Sequence, residues 1–211
     1  MLQNHKANKL FLLIGFIVLG WSYVNHEDTF AWLAFTSLVV IATIVVVLTY
    51  KRFQFSTYLY MFGLFWAILL LVGAKYTYTT NPLFETLKTT FNWQRNHYDR
   101  VGHFFQGFVP FMIFKEWFVR KGYIKRNRAG LVIIILVVLG CSALYEFLEY
   151  GAAIIADKPQ SYVLGLQGDV WDTQNDMLMA LIGAIVSHFT LGKYHDKIID
   201  KMMLIDKEKE V

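Results

Sequence analysis

The segment Phe30–Tyr50, FAWLAFTSLVVIATIVVVLTY, contains no charged residue in 21 positions. A helix of about 20 apolar residues crosses the hydrocarbon core of a bilayer, which is roughly 30 Å thick. Because lipid offers the backbone no hydrogen-bond partners, a helix that makes its hydrogen bonds internally is the expected structure of such a segment. The segment therefore predicts a membrane-spanning helix and favours a membrane protein.

The composition of the whole chain points to the same class. Of the 211 residues, 56% are hydrophobic and 17% are charged. Soluble domains carry about 25% charged residues, so this chain has too few to cover a water-exposed surface of its size. These proportions argue against a water-soluble enzyme and against a disordered chain. The single cysteine, Cys141, excludes an intramolecular disulfide and a cysteine-built zinc site.

Five other segments have the character of membrane helices. The six predicted spans are Leu10–Val24, Phe30–Tyr50, Phe55–Ala74, Tyr98–Val119, Leu131–Ile155 and Asp172–Leu191. Between the third and fourth, Leu83–Phe91 predicts a short interfacial helix. Pro110 lies inside the fourth span and predicts a kink. We therefore predict one all-α membrane domain over 1–211, a bundle of six transmembrane helices with a charged cytoplasmic tail over 193–211.

The distribution of Lys and Arg predicts the orientation of this bundle. Fifteen of the 20 basic residues lie at the amino terminus, after the second span, after the fourth span and in the tail. The other five are Lys75, Lys88, Arg95, Arg100 and Lys158. Since basic residues favour the cytoplasmic side, both termini are predicted to be cytoplasmic. Topology also explains the net charge of +4, and no nucleic-acid partner is predicted.

Pairs of ionisable side chains occur at three of the predicted helix ends. The pairs are Asp99 with His103, Glu146 with Glu149, and Asp172 with Asp176. A spacing of three or four residues puts both members of a pair on one helix face. Because the direction of successive spans alternates, all three pairs are expected at the outer end of the bundle. Gly183, further along the sixth span, is expected to permit close helix packing.

Carboxylates within a membrane span are costly, and they usually face the bundle interior and mark function. Oxygen ligands with one imidazole suit Mg²⁺, Mn²⁺, Ca²⁺ or Zn²⁺. The predicted metal ligands are His103, Glu146, Glu149, Asp172 and Asp176. The same residues and Asp99 are the predicted acid and base groups for catalysis. Substrate-orienting roles are predicted for Arg100, Gln106, Gln167 and Asp169.

The leading functional hypothesis is metal-assisted chemistry or binding on a lipid or cell-envelope substrate. One alternative is a transporter in which the same acids conduct a cation or protons. Another is a structural membrane protein without a substrate, in which Arg100 neutralises some of the acids. A transporter more often has internal repeats or broken helices, and neither is evident beyond Pro110. The metal, the reaction and the oligomeric state stay open at this point.

Three stretches of the sequence resemble the YjdF family of bacterial inner-membrane proteins. They are Tyr98–Phe104 (YDRVGHF), Glu146–Tyr150 (EFLEY) and Gln167–Met177 (QGDVWDTQNDM). The resemblance extends from Tyr98 to Leu191, almost half of the chain, and the Gln-Gly-Asp-x-Trp-Asp-x-Gln-x-Asp string is its most specific part. It implies a multi-pass protein of the bacterial plasma membrane, and it supplies no reaction.

The same pattern more loosely resembles VanZ-like membrane proteins. Their Asp-Lys-x-x-His-Phe motif corresponds to Asp99 through Phe104, with Arg100 in place of the lysine. Ala180 stands where the VanZ-like pattern has an asparagine. This second resemblance implies a role in the cell envelope or in glycopeptide resistance.

Overall fold

The computed structural model describes residues 2–156 and 167–209, and over these ranges the chain is α-helical with short links and no strand. The described helices are α1 His5–Tyr23, α2 Thr29–Thr49, α3 Thr57–Tyr76, α4 Pro82–Phe91, α5 Tyr98–Arg120, α6 Arg128–Ala156 and α7 Asp172–Lys209. The all-α prediction is confirmed, and α4 matches the short helix expected over Leu83–Phe91. Lys158, one of the five basic residues named above apart from the fifteen, lies outside the described residues.

Four of the described helices are long and apolar enough to cross a bilayer. They cover Thr29–Thr49, Thr57–Tyr76, Arg128–Ile155 and Asp172–Glu208. α1 and α5 also contain predicted spans but lie outside this apolar set. In α5 the reason is its charged residues, among them Asp99 and Lys115, which are buried along with most of the helix. Its polar side chains therefore face protein, where membrane helices carry such groups.

Among the described helices, α3 and α5 pack against the largest number of others. α3 packs against α1, α2 and α5, and α5 packs most extensively against α7. Leu59 of α3 lies in one apolar cluster with Phe108 and Met112 of α5. α2 leaves large apolar side chains such as Ile41 and Leu48 exposed, as expected for a helix that faces lipid.

α5 and α7 run in the same direction, and α6 runs against them. Arg100 near the start of α5 contacts Asp176 near the start of α7, and Arg120 at the end of α5 contacts Asp206. Ile134, early in α6, packs with Phe111 of α5, whereas Glu146, later in α6, lies 3.8 Å from His103, earlier in α5. The starts of α5 and α7 and the end of α6 therefore meet at one end of the bundle. Pro110 is buried inside α5, and the kink expected there stays a prediction.

Two glycines bring the backbones of α5 and α7 into direct contact. A Cβ atom on Gly107 would lie 1.8 Å from the carbonyl oxygen of Ala180, and one on Gly183 would lie 1.9 Å from that of Phe104. No side chain fits at such distances. The prediction that Gly183 permits close helix packing is confirmed, and Gly107 makes the reciprocal contact from α5.

The charged segment predicted as a tail is a continuation of α7. Over its described part the helix extends to Lys209 and buries His195, Ile199 and Met202 completely. This part of α7 packs against the end of α5 because one face of its strongly charged sequence is apolar. Its position in the cytoplasm stays a prediction.

Candidate functional site

Three helix ends meet around the imidazole of His103. Its Nε2 lies 3.5 Å from Asp99 Oδ1 and 3.9 Å from Asp176 Oδ1, and its Nδ1 lies 3.8 Å from Glu146 Oε1. All four side chains are buried. The cluster forms because Asp99 and His103 share one face of α5 that is turned toward both α6 and α7. One carboxylate from each predicted pair, namely Asp99, Glu146 and Asp176, therefore lies 3.5–3.9 Å from a nitrogen of the imidazole.

Gln106 fixes the orientation and tautomer of the His103 ring. The amide oxygen of Gln106 lies 2.8 Å from Nδ1 of His103, so Nδ1 donates the hydrogen bond. In a neutral ring the lone pair then resides on Nε2, which faces Asp99 and Asp176. A histidine whose second nitrogen is held by an oxygen acceptor is the arrangement found at protein metal sites. Gln106 thus acts on the imidazole, and its predicted substrate-orienting role is untested.

Asp99, His103 and Asp176 have the spacing of a possible cation site. One donor atom from each lies within 4.8 Å of the other two. Ligands about 2.0–2.6 Å from a divalent ion are roughly 3–4 Å from one another, so small side-chain movements would close the site. Glu146 adds a buried Oε1 atom that has no hydrogen-bond partner among the described residues. Such an orphaned carboxylate oxygen is available to a cation or a proton.

Arg100 binds the acids on the α7 side of this cluster. Its Nη1 donates to Asp176 Oδ1 at 2.5 Å, and its Nη2 donates to Asp172 Oδ1 at 2.7 Å and to Asp169 Oδ2 at 2.9 Å. The charge of one guanidinium is therefore shared among three carboxylates. Asp176 is bonded to Arg100 and also faces His103, so it belongs to both the ionic network and the candidate cation site.

Arg95 is a functional candidate that sequence reasoning missed. Its Nη1 donates to Asp172 Oδ1 at 2.5 Å, and its guanidinium also lies 3.4 Å from Asp169 and 3.9 Å from Asp99. Asp172 is consequently held between Arg95 and Arg100. The only sequence signal was the four-residue spacing from Arg95 to Asp99. Because Arg95 precedes α5, helical periodicity did not place it on the same face.

Gln167 and Asp169 hold the segment before α7 against the rest of the protein. The side chain of Gln167 makes two hydrogen bonds to the backbone of Asn96, at 2.8 and 3.0 Å. The backbone N–H of Trp171, the amide of Asn175 and the nearby arginines lower the pKa of Asp169 below its usual range. These contacts are structural, and the predicted substrate-orienting roles of both residues are untested.

Glu149 borders a groove beside the His103 cluster and lies within electrostatic range of its charged groups. This cavity of about 250 Å³ lies between α2, the link after α3 and the end of α6. Its α2 wall is apolar and includes Phe30, Ala34 and Leu38. Tyr145 lines the groove, and its ring is 5.5 Å from the ring of His103. One aromatic side chain therefore lies between the groove and the candidate cation site.

A second buried ionic cluster lies at the opposite end of α5. Glu116 accepts hydrogen bonds from the backbone N–H and the hydroxyl of Ser56, both at 2.7 Å, and from Arg120 at 2.8 Å. The Nε2 atom of His195 lies 3.2 Å from the same carboxylate. Sequence reasoning missed His195, because it falls in the segment interpreted as a tail. Both oxygens of Glu116 are bonded, which is typical of a structural network.

The helical fold and the ionisable groups between its helices define a multi-pass integral membrane protein with a buried charged site. Residues 7–197 match the family model described as "Predicted membrane protein (DUF2238)", and the chain belongs to this family. Inner membrane protein YjdF of Escherichia coli (strain K12) is 33% identical over 189 residues, which are 90% of each chain. No solved structure matches the chain.

These comparisons confirm the resemblance to the YjdF family and extend it from almost half of the sequence to nearly all of it. They also confirm the predicted location, since the family and the relative are both described as membrane proteins. The chain is a multi-pass inner-membrane protein.

Proposed function

We propose that Asp99, His103 and Asp176 form a divalent-cation centre that serves chemistry or binding on a lipid or cell-envelope substrate. The observation that supports it most is the approach of three buried donor atoms, from two helices, to within 4.8 Å of one another. Two carboxylates and an imidazole are the donor set of Mn²⁺ and Zn²⁺ sites, and of some Mg²⁺ and Ca²⁺ sites.

Each side chain has a separate task in this proposal. Asp99, His103 and Asp176 hold the ion, and Gln106 keeps Nε2 of His103 unprotonated and directed toward it. Glu146, whose Oε1 makes no hydrogen bond within the described residues, is the group that accepts a proton from a bound water or hydroxyl. When bound, the ion polarises an oxygen of the substrate or of water. Asp172 and Glu149 were predicted above as further ligands. Asp172 pairs instead with Arg95 and Arg100, and Glu149 borders the groove.

The groove beside Tyr145 supports a substrate with an apolar portion. Phe30, Ala34 and Leu38 offer one apolar wall, and Glu149 provides a carboxylate close to the side nearest His103. An amphiphile in this groove would keep its tail toward lipid and its polar group toward the candidate centre. The proposed substrate is therefore a membrane lipid or a lipid-linked envelope component.

The proposed topology has six spans, including α1 and α5, with both termini in the cytoplasm. The parallel course of α5 and α7, with α6 antiparallel, fits three successive crossings. The excess of Lys and Arg at one end supports the orientation, which places the His103 cluster at the extracytoplasmic end. The bilayer is the one partner this proposal requires.

A purely structural role is favoured by one observation, the contacts of Arg100 with Asp169, Asp172 and Asp176. Interhelical ion pairs of this kind can hold a membrane bundle together without any ligand. The cation centre predicts a bound divalent ion, whereas the structural role predicts none. A transporter that uses the same acids predicts a flux of cations or protons across the membrane.

The test is the metal content and stability of protein purified without chelator. Asp176→Asn should lower the bound divalent ion and abolish stabilisation by added metal, because the amide removes a charged ligand with little change of shape. Asp200→Asn is the matched control, since Asp200 is an exposed aspartate of the same helix. A wild-type protein that binds no divalent ion and is indifferent to metal and chelator would reject the proposal. Cation or proton flux in vesicles would then favour a transporter, and its absence the structural role.

A further inference from the structure

A basic cavity of about 570 Å³ lies at the end of the bundle opposite to His103. It is bordered by the start of α1, the link between α2 and α3, the end of α5 and the last turns of α7. Its ionisable lining groups are His5, Tyr50, Lys51, Arg52, Arg120, Lys121 and Asp206. Three chain segments that are distant in sequence thus direct basic groups toward one space, and the last turns of α7 contribute Asp206.

Arg120 and Asp206 form an ion pair in the wall of this cavity. Nε and Nη2 of Arg120 donate to the two oxygens of Asp206 at 2.9 and 3.0 Å. Nη1 of Arg120 donates to Glu116 and to the backbone oxygen of Gln54, both at 2.8 Å. Among the described residues, the carboxylate in the lining is therefore ion-paired, and this pair joins the end of α7 to the end of α5.

Lys51, Arg52 and Lys121 retain their positive charge without a compensating acid. Within the described ranges, no carboxylate lies within ion-pair distance of any of the three. Two other basic residues at this end do form ion pairs: Lys115 lies 3.0 Å from Asp196, and Arg126 contacts Asp200. Lys193, Lys197 and Lys201 of α7 also have no ion pair within the described ranges, so what distinguishes Lys51, Arg52 and Lys121 is that they border one cavity.

Aromatic and polar groups hold the basic cavity in shape. The ring of Phe53 lies 4.3 Å from the guanidinium carbon of Arg120 and 5.4 Å from Nζ of Lys121, which are cation–π distances. The hydroxyl of Tyr50 accepts hydrogen bonds from Asn8 at 3.0 Å and from Gln54 at 2.6 Å. The α2–α3 link is therefore fixed to α1 and α5, with its two basic side chains at the cavity.

We propose that this basic cavity binds the phosphodiester headgroup of an anionic phospholipid. Lys and Arg are the side chains that bind phosphate oxygens, and basic pockets between membrane helices on the cytoplasmic side hold lipid headgroups. The cavity lies where two apolar helices end, so a bound lipid can keep its acyl chains in the bilayer. Val45 and Leu48, in the last turns of α2 beside the cavity, are exposed and offer the apolar surface for those chains.

The test compares lipid retention by full-length variants in mixed phosphatidylcholine and phosphatidylglycerol nanodiscs, measured by native mass spectrometry after release into detergent. The variant Lys51→Gln/Arg52→Gln/Lys121→Gln should retain at least about tenfold less phosphatidylglycerol than wild type. Its control is Lys193→Gln/Lys197→Gln/Lys201→Gln, which removes the same charge from three exposed lysines of α7. The control should bind as wild type does.

Equal retention by wild type and the cavity variant would overturn the proposal, and so would equal loss in the cavity variant and its control. Excess inorganic phosphate should leave the lipid bound, because the acyl chains also contribute to its retention. Complete displacement by phosphate would contradict a lipid ligand. If the triple variant fails to fold, Arg52→Gln and Lys121→Gln are tested singly. Unchanged retention in both would overturn the proposal.

Discussion

Glu116 and Glu146 are both buried glutamates of the same bundle, and they differ in what surrounds them. Glu116 is bonded to Ser56, Arg120 and His195, whereas Oε1 of Glu146 makes no hydrogen bond within the described residues and lies 3.8 Å from Nδ1 of His103. Burying a carboxylate without partners costs free energy, so a protein keeps such a group only where something compensates for it. The difference separates a carboxylate used for folding from one available to a ligand.

The two glutamates should respond differently to loss of charge. In the presence of chelator, Glu116→Gln should lower the free energy of unfolding by about 3 kcal/mol, because it breaks a buried charged network. Glu146→Gln should change it by less than about 1 kcal/mol, since little bonding is lost at Oε1. Denaturant unfolding in detergent measures both. Equal losses would show that Glu146 is also a structural partner.

Asp169 should give the end of the bundle that holds His103 a pH-dependent contribution to stability. Its pKa is lowered chiefly by the Trp171 N–H, with help from Asn175 and the arginines. A carboxyl with a lowered folded-state pKa stabilises above its unfolded pKa of about 4, and loses that contribution as the pH falls through the folded value. The Tm difference between wild type and Asp169→Asn should be present at neutral pH and shrink in acid. A difference independent of pH would contradict this origin.

The contact between α5 and α7 depends on two glycines, and this makes a direct test possible. Gly107→Ala and Gly183→Ala should each lower the free energy of unfolding by about 1–3 kcal/mol, because the new methyl group meets an opposing carbonyl oxygen. The double variant should lose less than the sum, since one separation of the helices relieves both contacts. Gly140→Ala is the control, with nothing within 4 Å of its Cβ position.

Gly140→Ala should leave stability unchanged or raise it by up to about 1 kcal/mol, because alanine restricts the unfolded chain. Thermal unfolding of the four variants in one detergent provides the comparison. If Gly107→Ala and Gly183→Ala behaved like Gly140→Ala, the close approach of α5 and α7 would be wrong.

Hydropathy predicts the helices whose outward side chains face lipid, because those side chains must be apolar. It misses helical segments that are surrounded by protein, since these can carry polar side chains. α2, α3 and α6 follow from their apolar sequences, because their outward faces contact lipid. The last predicted span ends at Leu191, whereas α7 continues to Lys209. A window average cannot detect the continuation, since the buried His195, Ile199 and Met202 alternate with charged residues on the exposed face.

The candidate site was predictable to the extent that helical spacing and alternating direction determine it. These two rules bring His103 together with Asp176 and Glu146. They do not give the rotation of each helix, which places Glu149 at the groove. They also miss Arg95, which contacts Asp172 across 77 positions of sequence from a link that has no helical period.

The orientation of the bundle decides which compartment each cluster faces. A reporter fused after Arg126 should indicate the cytoplasm, and one fused after Asn92, in the link between α4 and α5, should indicate the outside. The expected pattern follows from the excess of basic residues after α5 and in α7. An outside signal at Arg126 would move the His103 cluster to the cytoplasmic face and exclude an extracytoplasmic substrate.

Electron paramagnetic resonance of Mn²⁺ added to the purified full-length protein tests the proposed cation centre most directly. One Mn²⁺ per chain should bind, and its spectrum should show coupling to an imidazole nitrogen, because Nε2 of His103 is a proposed ligand. The coupling should disappear in His103→Gln and persist in His188→Gln, a histidine of α7 outside the cluster. Absence of bound Mn²⁺, or nitrogen coupling that survives His103→Gln, would contradict the centre.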